Sequence, residues 1–145
     1  MKKIGLMFLL LVMFTVTMIG CSGKTETSEA EIYQYYTAEE TKTAIENDEE
    51  MILLDIQVAE EWDAHHIAGA IPTYAYPVKT DEEKEKLDQV LPMLEGDQPI
   101  VVVCPGGAGG ATRTIDYLTT KGIAAERLFI LENGQSEWPY ENLLE

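Results

Sequence analysis

Two rhythms of apolar and polar positions alternate along residues 32–131. Short apolar runs suited to strands fall at 32–36, 51–56, 70–74, 100–103 and 127–131. The runs MILLDI and IVVV are apolar at successive positions, as strands covered on both faces require. β-Branched residues fill 100–103, which favours extended chain. Pro72 places its run at a sheet edge or a strand end. Between the runs the spacing becomes helical. Thr37 with Glu40, and Thr80 with Glu83, form capping boxes. The first opens a helix to about Asn47; the second leads a helix through Leu87, Val90, Leu91 and Leu94. One helical turn is predicted at 60–65, a turn at 96–99, and a helix carrying Ile115, Tyr117 and Leu118 inward that stops at Gly122. No internal repeat is present. Strand–helix alternation over this length predicts an open, mostly parallel α/β sheet flanked by helices.

Upstream the pattern changes. Lys2 and Lys3 precede an uncharged, mostly apolar run at 4–19. As a helix it spans roughly 24 Å, short of the ~30 Å hydrocarbon core, which suits a signal peptide better than a membrane span. It ends in Met18-Ile19-Gly20-Cys21. A small residue followed by Cys here resembles the lipobox of bacterial lipoproteins, with Met18 where Leu is usual. The resemblance implies cleavage before Cys21, lipid on Cys21, and anchoring to a membrane of the bacterial cell envelope, outside the cytoplasm. An ordinary secreted protein is the alternative. The expected organisation is a signal peptide at 1–20, the lipidated Cys and a flexible acidic tether at 21–31, and one domain at 32–145.

Charge and cysteine content narrow the chemistry. The chain has 145 residues, 10 basic and 26 acidic, for a net charge of −16. Such a surface excludes nucleic acid as the main partner, since phosphate binding needs a basic face. Two Cys residues cannot build a disulfide framework or a four-thiolate zinc site. His65 and His66 with Asp63 resemble a metal cluster only superficially, because adjacent histidines on a turn seldom converge on one ion. No metal or organic cofactor is expected.

The candidate chemistry lies at the end of the 100–103 strand. In open parallel sheets, ligands bind beyond the C-terminal strand ends. Cys104 stands there, followed by Pro105, Gly106, Gly107, Ala108, Gly109 and Gly110. A glycine-rich loop can turn successive N–H groups inward as an anion nest, and the following helix adds its positive end. Both favour a thiolate over a thiol, whose ordinary pKa is ~8.5. The alternative is a Cys serving as a small buried hydrophobe after three valines. A nucleotide loop fits poorly. Gly107-Ala108-Gly109 begins a dinucleotide fingerprint, but Thr112 occupies its third small position.

An ordered set of motifs resembles the rhodanese-like domain family. Leu53-Leu54-Asp55-Ile56-Gln57, then Glu60 to Ala70 with His66-Ile67-Ala68-Gly69-Ala70, is similar to its Leu-Asp-Val-Arg strand end, acidic-aromatic turn and Gly-His-Ile-x-Gly-Ala. Val101-Val102-Val103-Cys104 is similar to its active-site strand, and Leu131-Glu132-Asn133-Gly134 with Trp138 to its closing Gly-Gly-x-x-x-Trp. The resemblance implies a five-stranded parallel sheet and a catalytic Cys104 that carries sulfur as a persulfide. Gln57 departs from the usual Arg, His65 from the usual Gly, and Gly109 from the Arg of the Cys-x-x-Gly-x-Arg loop. The phosphatase and arsenate-reductase branch places Arg six after the Cys and His before it; here these are Gly110 and Val103. Arg113, one turn into the helix, either partly replaces the missing loop Arg or lies on a solvated face. Asp55 is expected to accept backbone hydrogen bonds that hold neighbouring loops, and His66 to be packed rather than a base.

Two functions remain on the sequence. One is a sulfurtransferase moving sulfane sulfur from thiosulfate, polysulfide or a persulfide through Cys104 to a thiol or redox-protein acceptor, with residues 105–110 and Arg113 binding substrate. The other is a non-catalytic binding or sensory module.

Overall fold

The computed structural model describes residues 33–145. The signal peptide, Cys21 and tether expected from the sequence lie outside these residues. Among the described residues no helix is long and apolar enough to cross a membrane.

The sheet has five strands, all paired in parallel, in the order β1-β5-β4-β2-β3. They are β1 (Gln34–Tyr36), β2 (Ile52–Asp55), β3 (Ile71–Pro72), β4 (Ile100–Val103) and β5 (Leu128–Leu131). The helices are α1 (Ala38–Glu46), α2 (Ala59–Ala64), α3 (Asp81–Asp88) and α4 (Gly109–Thr120). Strands β2 and β4 are buried throughout, as their unbroken apolar runs predict.

Strand alternation sorts the core into two clusters. Ile52, Leu54 and Ile56 of the β2 segment face the same side as Ile100, Val102 and Cys104, against Leu87, Ala111, Ile115 and Leu118 of α3 and α4. Leu53, Val101 and Val103 face the other side, with Ile67 and Trp138. Both capping boxes form. The Glu40 N–H donates to Thr37 Oγ1 at 3.1 Å, and Glu83 Oε2 accepts the Thr80 N–H at 3.0 Å. Each closes orphan amides at a helix start.

Two elements differ from the expected pattern. The third strand is only Ile71–Pro72, because Pro72 has no N–H to donate and Tyr74 turns the chain at φ 56°. The helix after Thr80 ends at Asp88, and Leu91–Leu94 forms a separate 3-10 turn around Pro92. Proline disfavours helical continuation on both chemical and steric grounds. Leu87, Val90 and Leu94 nevertheless bury on one side as the spacing requires.

Candidate active site

Parallel strand direction carries β4 to one pole of the sheet and releases the chain there at Cys104. The thiol side chain follows Ile100 and Val102 onto the α3–α4 side and is only 1% exposed. Cys104 is thus packed among apolar neighbours, as one of the two sequence readings expects, and it immediately precedes the glycine loop. The loop itself reaches solvent, with Gly106, Ala108 and Gly109 exposed.

A second loop fixes the first from behind. The Gln135 N–H donates to the Cys104 carbonyl at 2.9 Å, and the Ser136 N–H donates to the Pro105 carbonyl at 2.9 Å. Two glycines permit this contact. Gly107 has φ 61°, and a Cβ there would meet the Gly134 nitrogen at 2.6 Å. Gly134 has φ 65°, and a Cβ there would meet the Cys104 carbonyl oxygen and the Gly107 nitrogen. Asn133 takes φ 60°, which Asn tolerates better than most residues. The loop carbonyls of residues 104 and 105 are thus directed toward 135 and 136. Among the described residues, the N–H groups of Gly106, Ala108, Gly109 and Gly110 donate to no protein acceptor. Such a run of unspent amides at the start of a helix suits a negative charge.

The segment after β3 closes the other side. Tyr76 is 37% exposed, and its ring leaves no room for a Cβ at Gly110, which would stand 2.9 Å from it. Arg113 Nε donates to the Pro77 carbonyl at 2.8 Å. Its Nη1 lies 2.9 Å from where a Gly109 Cβ would be. Arg113 is therefore neither simply a solvated residue nor a copy of a loop Arg. It leans toward the helix start, as expected, but one nitrogen ties α4 to the 74–79 segment.

Asp55 and His66 sit on the opposite side of the sheet from the thiol. Asp55 is fully buried. Its carboxylate accepts the Gln57 N–H at 2.7 Å and Gln57 Nε2 at 2.9 Å. Asp55 accepts a backbone hydrogen bond as expected, and the loop its carboxylate holds is the turn that directly follows β2. The Asp55 carbonyl makes the longer link, accepting the Thr73 N–H at 2.9 Å. Desolvation raises the Asp55 pKa from 3.8 to about 6, and the Gln57 hydrogen bonds oppose this only in part. His66 stacks on Trp62 with centroids 3.6 Å apart, and its Nδ1 lies 3.0 Å from the Trp62 carbonyl. This is a packed histidine. Among the described residues no group of His, Cys, Asp and Glu is arranged to hold a metal ion.

Sequence reasoning missed Tyr76 and Gln135. Tyr76 follows no helical or strand rhythm. Gln135 carried a usable signal, its place directly after Asn133-Gly134 in the closing motif.

The family model of the rhodanese-like domain matches residues 37–140. The chain belongs to this family. The rhodanese-like architecture is also seen in solved structures. A rhodanese-like domain protein from Staphylococcus aureus is 22% identical, with TM-score 0.56, 76% of this chain and 95% of that chain covered. The As-Sb reductase from Leishmania major is 21% identical, with TM-score 0.56, 74% and 77% covered. A yeast protein tyrosine phosphatase of the rhodanese family is 20% identical, with TM-score 0.55, 73% and 83% covered. At these identities the likeness is one of fold. No curated protein matches the sequence. Within the rhodanese-like pattern, Gln57 occupies the usual Arg position and still reaches Asp55, but as a neutral amide.

Proposed function

We propose that the protein is a sulfurtransferase in which Cys104 carries a sulfane sulfur. The observation that carries this reading is a cysteine at the end of the central β4 strand, followed by a glycine loop whose N–H groups at 106 and 108–110 have no protein acceptor among the described residues. The Cys104 thiolate attacks the outer sulfur of the donor. With thiosulfate, a Cys104–sulfur bond forms, the donor S–S bond breaks, and sulfite leaves with the bonding electron pair. The Cys104 persulfide anion is then held by the loop amides. An acceptor thiolate attacks the outer sulfur, the Cys104 S–S bond breaks, and the Cys104 thiolate returns. Burial of the thiol favours donors that present a protruding terminal sulfur, namely thiosulfate, polysulfide or a persulfide. Gly110 and Val103 replace the Arg and His of the phosphatase and arsenate-reductase branch, which argues against those activities.

The test is site-resolved mass spectrometry of the purified protein after exposure to each donor. A gain of about 32 Da, one sulfur, is expected on Cys104 and absent from Cys104→Ser. No adduct with any donor would overturn the reading. The second reading, a non-catalytic binding module, is favoured by the 1% exposure of Cys104 and by Gly109 at the usual Arg position. It requires Cys104→Ser to retain full cellular function.

For residues 1–31 the reading remains that of a lipoprotein leader and tether, which would carry the domain on the outer side of a bacterial membrane. Radiolabelled palmitate should be incorporated into the wild type and not into Cys21→Ala.

A further inference from the structure

The strand register places Tyr76 beside the thiol. Asp55 pairs with Val103 across β2 and β4, so the residues that follow them, Ile56 and Cys104, lie next to each other. The Ile56 N–H donates to the Val103 carbonyl at 2.9 Å, and the Ile56 and Cys104 side chains belong to the same core cluster. The Ile56 carbonyl in turn accepts the Tyr76 N–H at 2.8 Å. Gly110 spans the set from above. A Cβ there would meet Tyr76 Cδ2 and Cε2 at 2.9 Å and Ile56 Cδ1 at 3.2 Å. Cys104, Ile56, Tyr76 and Gly110 are thus contiguous.

Their burial is uneven. Cys104 is 1% exposed and Ile56 is fully buried, whereas Tyr76 is 37% exposed. The Tyr76 ring is therefore the outermost layer over this flank of the thiol, and exposed Gly106, Ala108 and Gly109 bound the other. The backbone on each side of Tyr76 is pinned. Lys86 Nζ donates to the Tyr74 carbonyl, and Arg113 Nε to the Pro77 carbonyl, each at 2.8 Å. Divalent sulfur packs favourably against an aromatic ring, whereas a branched carbon needs width that a pinned wall does not give.

We infer that Tyr76 is the specificity-determining residue of this site: its ring walls the approach to Cys104, admits the slender chain of an inorganic polysulfide and hinders sulfur carried on a branched carbon. The inference rests on the sulfurtransferase reading for its purpose, but not for its measurement. In loading, the Cys104 thiolate forms a bond to the terminal sulfhydryl sulfur of a hydropolysulfide, and the adjoining S–S bond breaks. The shortened polysulfide leaves with the electron pair, and the transferred sulfur keeps its proton. Tyr76 makes no bond in this exchange; it sets the width of the entrance.

The test compares wild type, Tyr76→Ala and Tyr76→Phe as purified full chains, with modification of Cys104 followed by site-resolved mass spectrometry. Iodoacetamide is the slender alkylating probe and N-benzylmaleimide the bulky one. Each rate is divided by the wild-type rate with the same reagent, which cancels the reagent's own reactivity. Tyr76→Ala should raise the bulky rate about ten-fold and the slender rate about two-fold or less. Loading from tert-butyl persulfide should rise about five-fold or more in the same variant, while loading from inorganic tetrasulfide changes less than about two-fold. Tyr76→Phe, which keeps the ring, should match wild type with every reagent. An equal rise with slender and bulky reagents would mean a loosened fold and would overturn the proposal. So would no gain with the bulky reagents, or a Phe variant that behaves like Ala. Thermal melting checks the variants. Should Tyr76→Ala not fold, Tyr76→Leu keeps an apolar side chain against Gly110 and must show the same selective gain, at smaller size. Failure of every donor to load Cys104 would instead sink the sulfurtransferase reading and leave the alkylation result standing.

Discussion

Asp55 is a carboxylate kept out of water whose hydrogen bonds come from two Gln57 amide groups. Its pKa lies near 6 in the fold against an ordinary 3.8, so the folded chain binds more protons than the unfolded chain between those values. Stability contributed by this group is therefore greatest below pH ~4 and declines as pH rises toward about 6, by roughly 3 kcal/mol. Nearby, His66 lowers and Glu61 raises the same pKa. Asp55→Asn should remove the decline. Urea midpoints of the two proteins, compared from pH 4 to 7, check this; parallel curves would refute it. The sequence pointed to Asp55 as structural because it ends an apolar strand. It did not show that Gln57 would satisfy the carboxylate, since a Gln two residues on forms such a turn only when the backbone bends correctly.

Loop glycines separate at the same scale. Gly134→Ala would drive a methyl into the Cys104 carbonyl oxygen and the Gly107 nitrogen, with φ 65° besides. Gly69 has φ 78° but nothing within 4 Å of its missing Cβ. Thermal or urea unfolding should show Gly69→Ala costing about 1 kcal/mol and Gly134→Ala clearly more, upward of ~3 kcal/mol. If Cys104 carries sulfur as proposed, the Gly134 variant should also lose that loading, because its methyl displaces the glycine loop.

Among the elements, helix starts were the most readable features. Thr37 and Thr80 accept from the N–H three residues later, and Glu40 and Glu83 return the bond. This signal is local, so one sequence suffices to see it. Thr80→Ala should cost about 1 kcal/mol in chemical denaturation. If it costs nothing, the cap is not holding α3. The β2 and β4 runs were equally plain, because burial on both faces leaves no polar position. The short β3 was less so. Its length depends on where Tyr74 turns and on where the neighbouring β2 edge ends, which are tertiary facts. The glycine loop was visible from composition alone. Its shape was not, since that depends on Gln135 and Ser136, about thirty residues downstream, donating to the carbonyls of residues 104 and 105.

For the whole molecule, a net charge of −16 sets a repulsive field toward any anionic donor. Loading of Cys104 by thiosulfate should speed up several-fold as inert salt is raised from about 10 to about 150 mM, whereas a neutral persulfide donor should respond little. A stopped-flow or quenched series in potassium chloride checks this. A fall in the thiosulfate rate would mean that local cations outweigh the surrounding acids at the thiol. The uniform strand direction has another consequence. Gln34 pairs with Phe129 at the beginning of β1, whereas Cys104 follows the last residue of β4. The described chain thus begins near one pole of the sheet and places Cys104 at the other. A label attached at residue 33 would therefore stand at the far pole from the glycine loop and leave that loop uncovered.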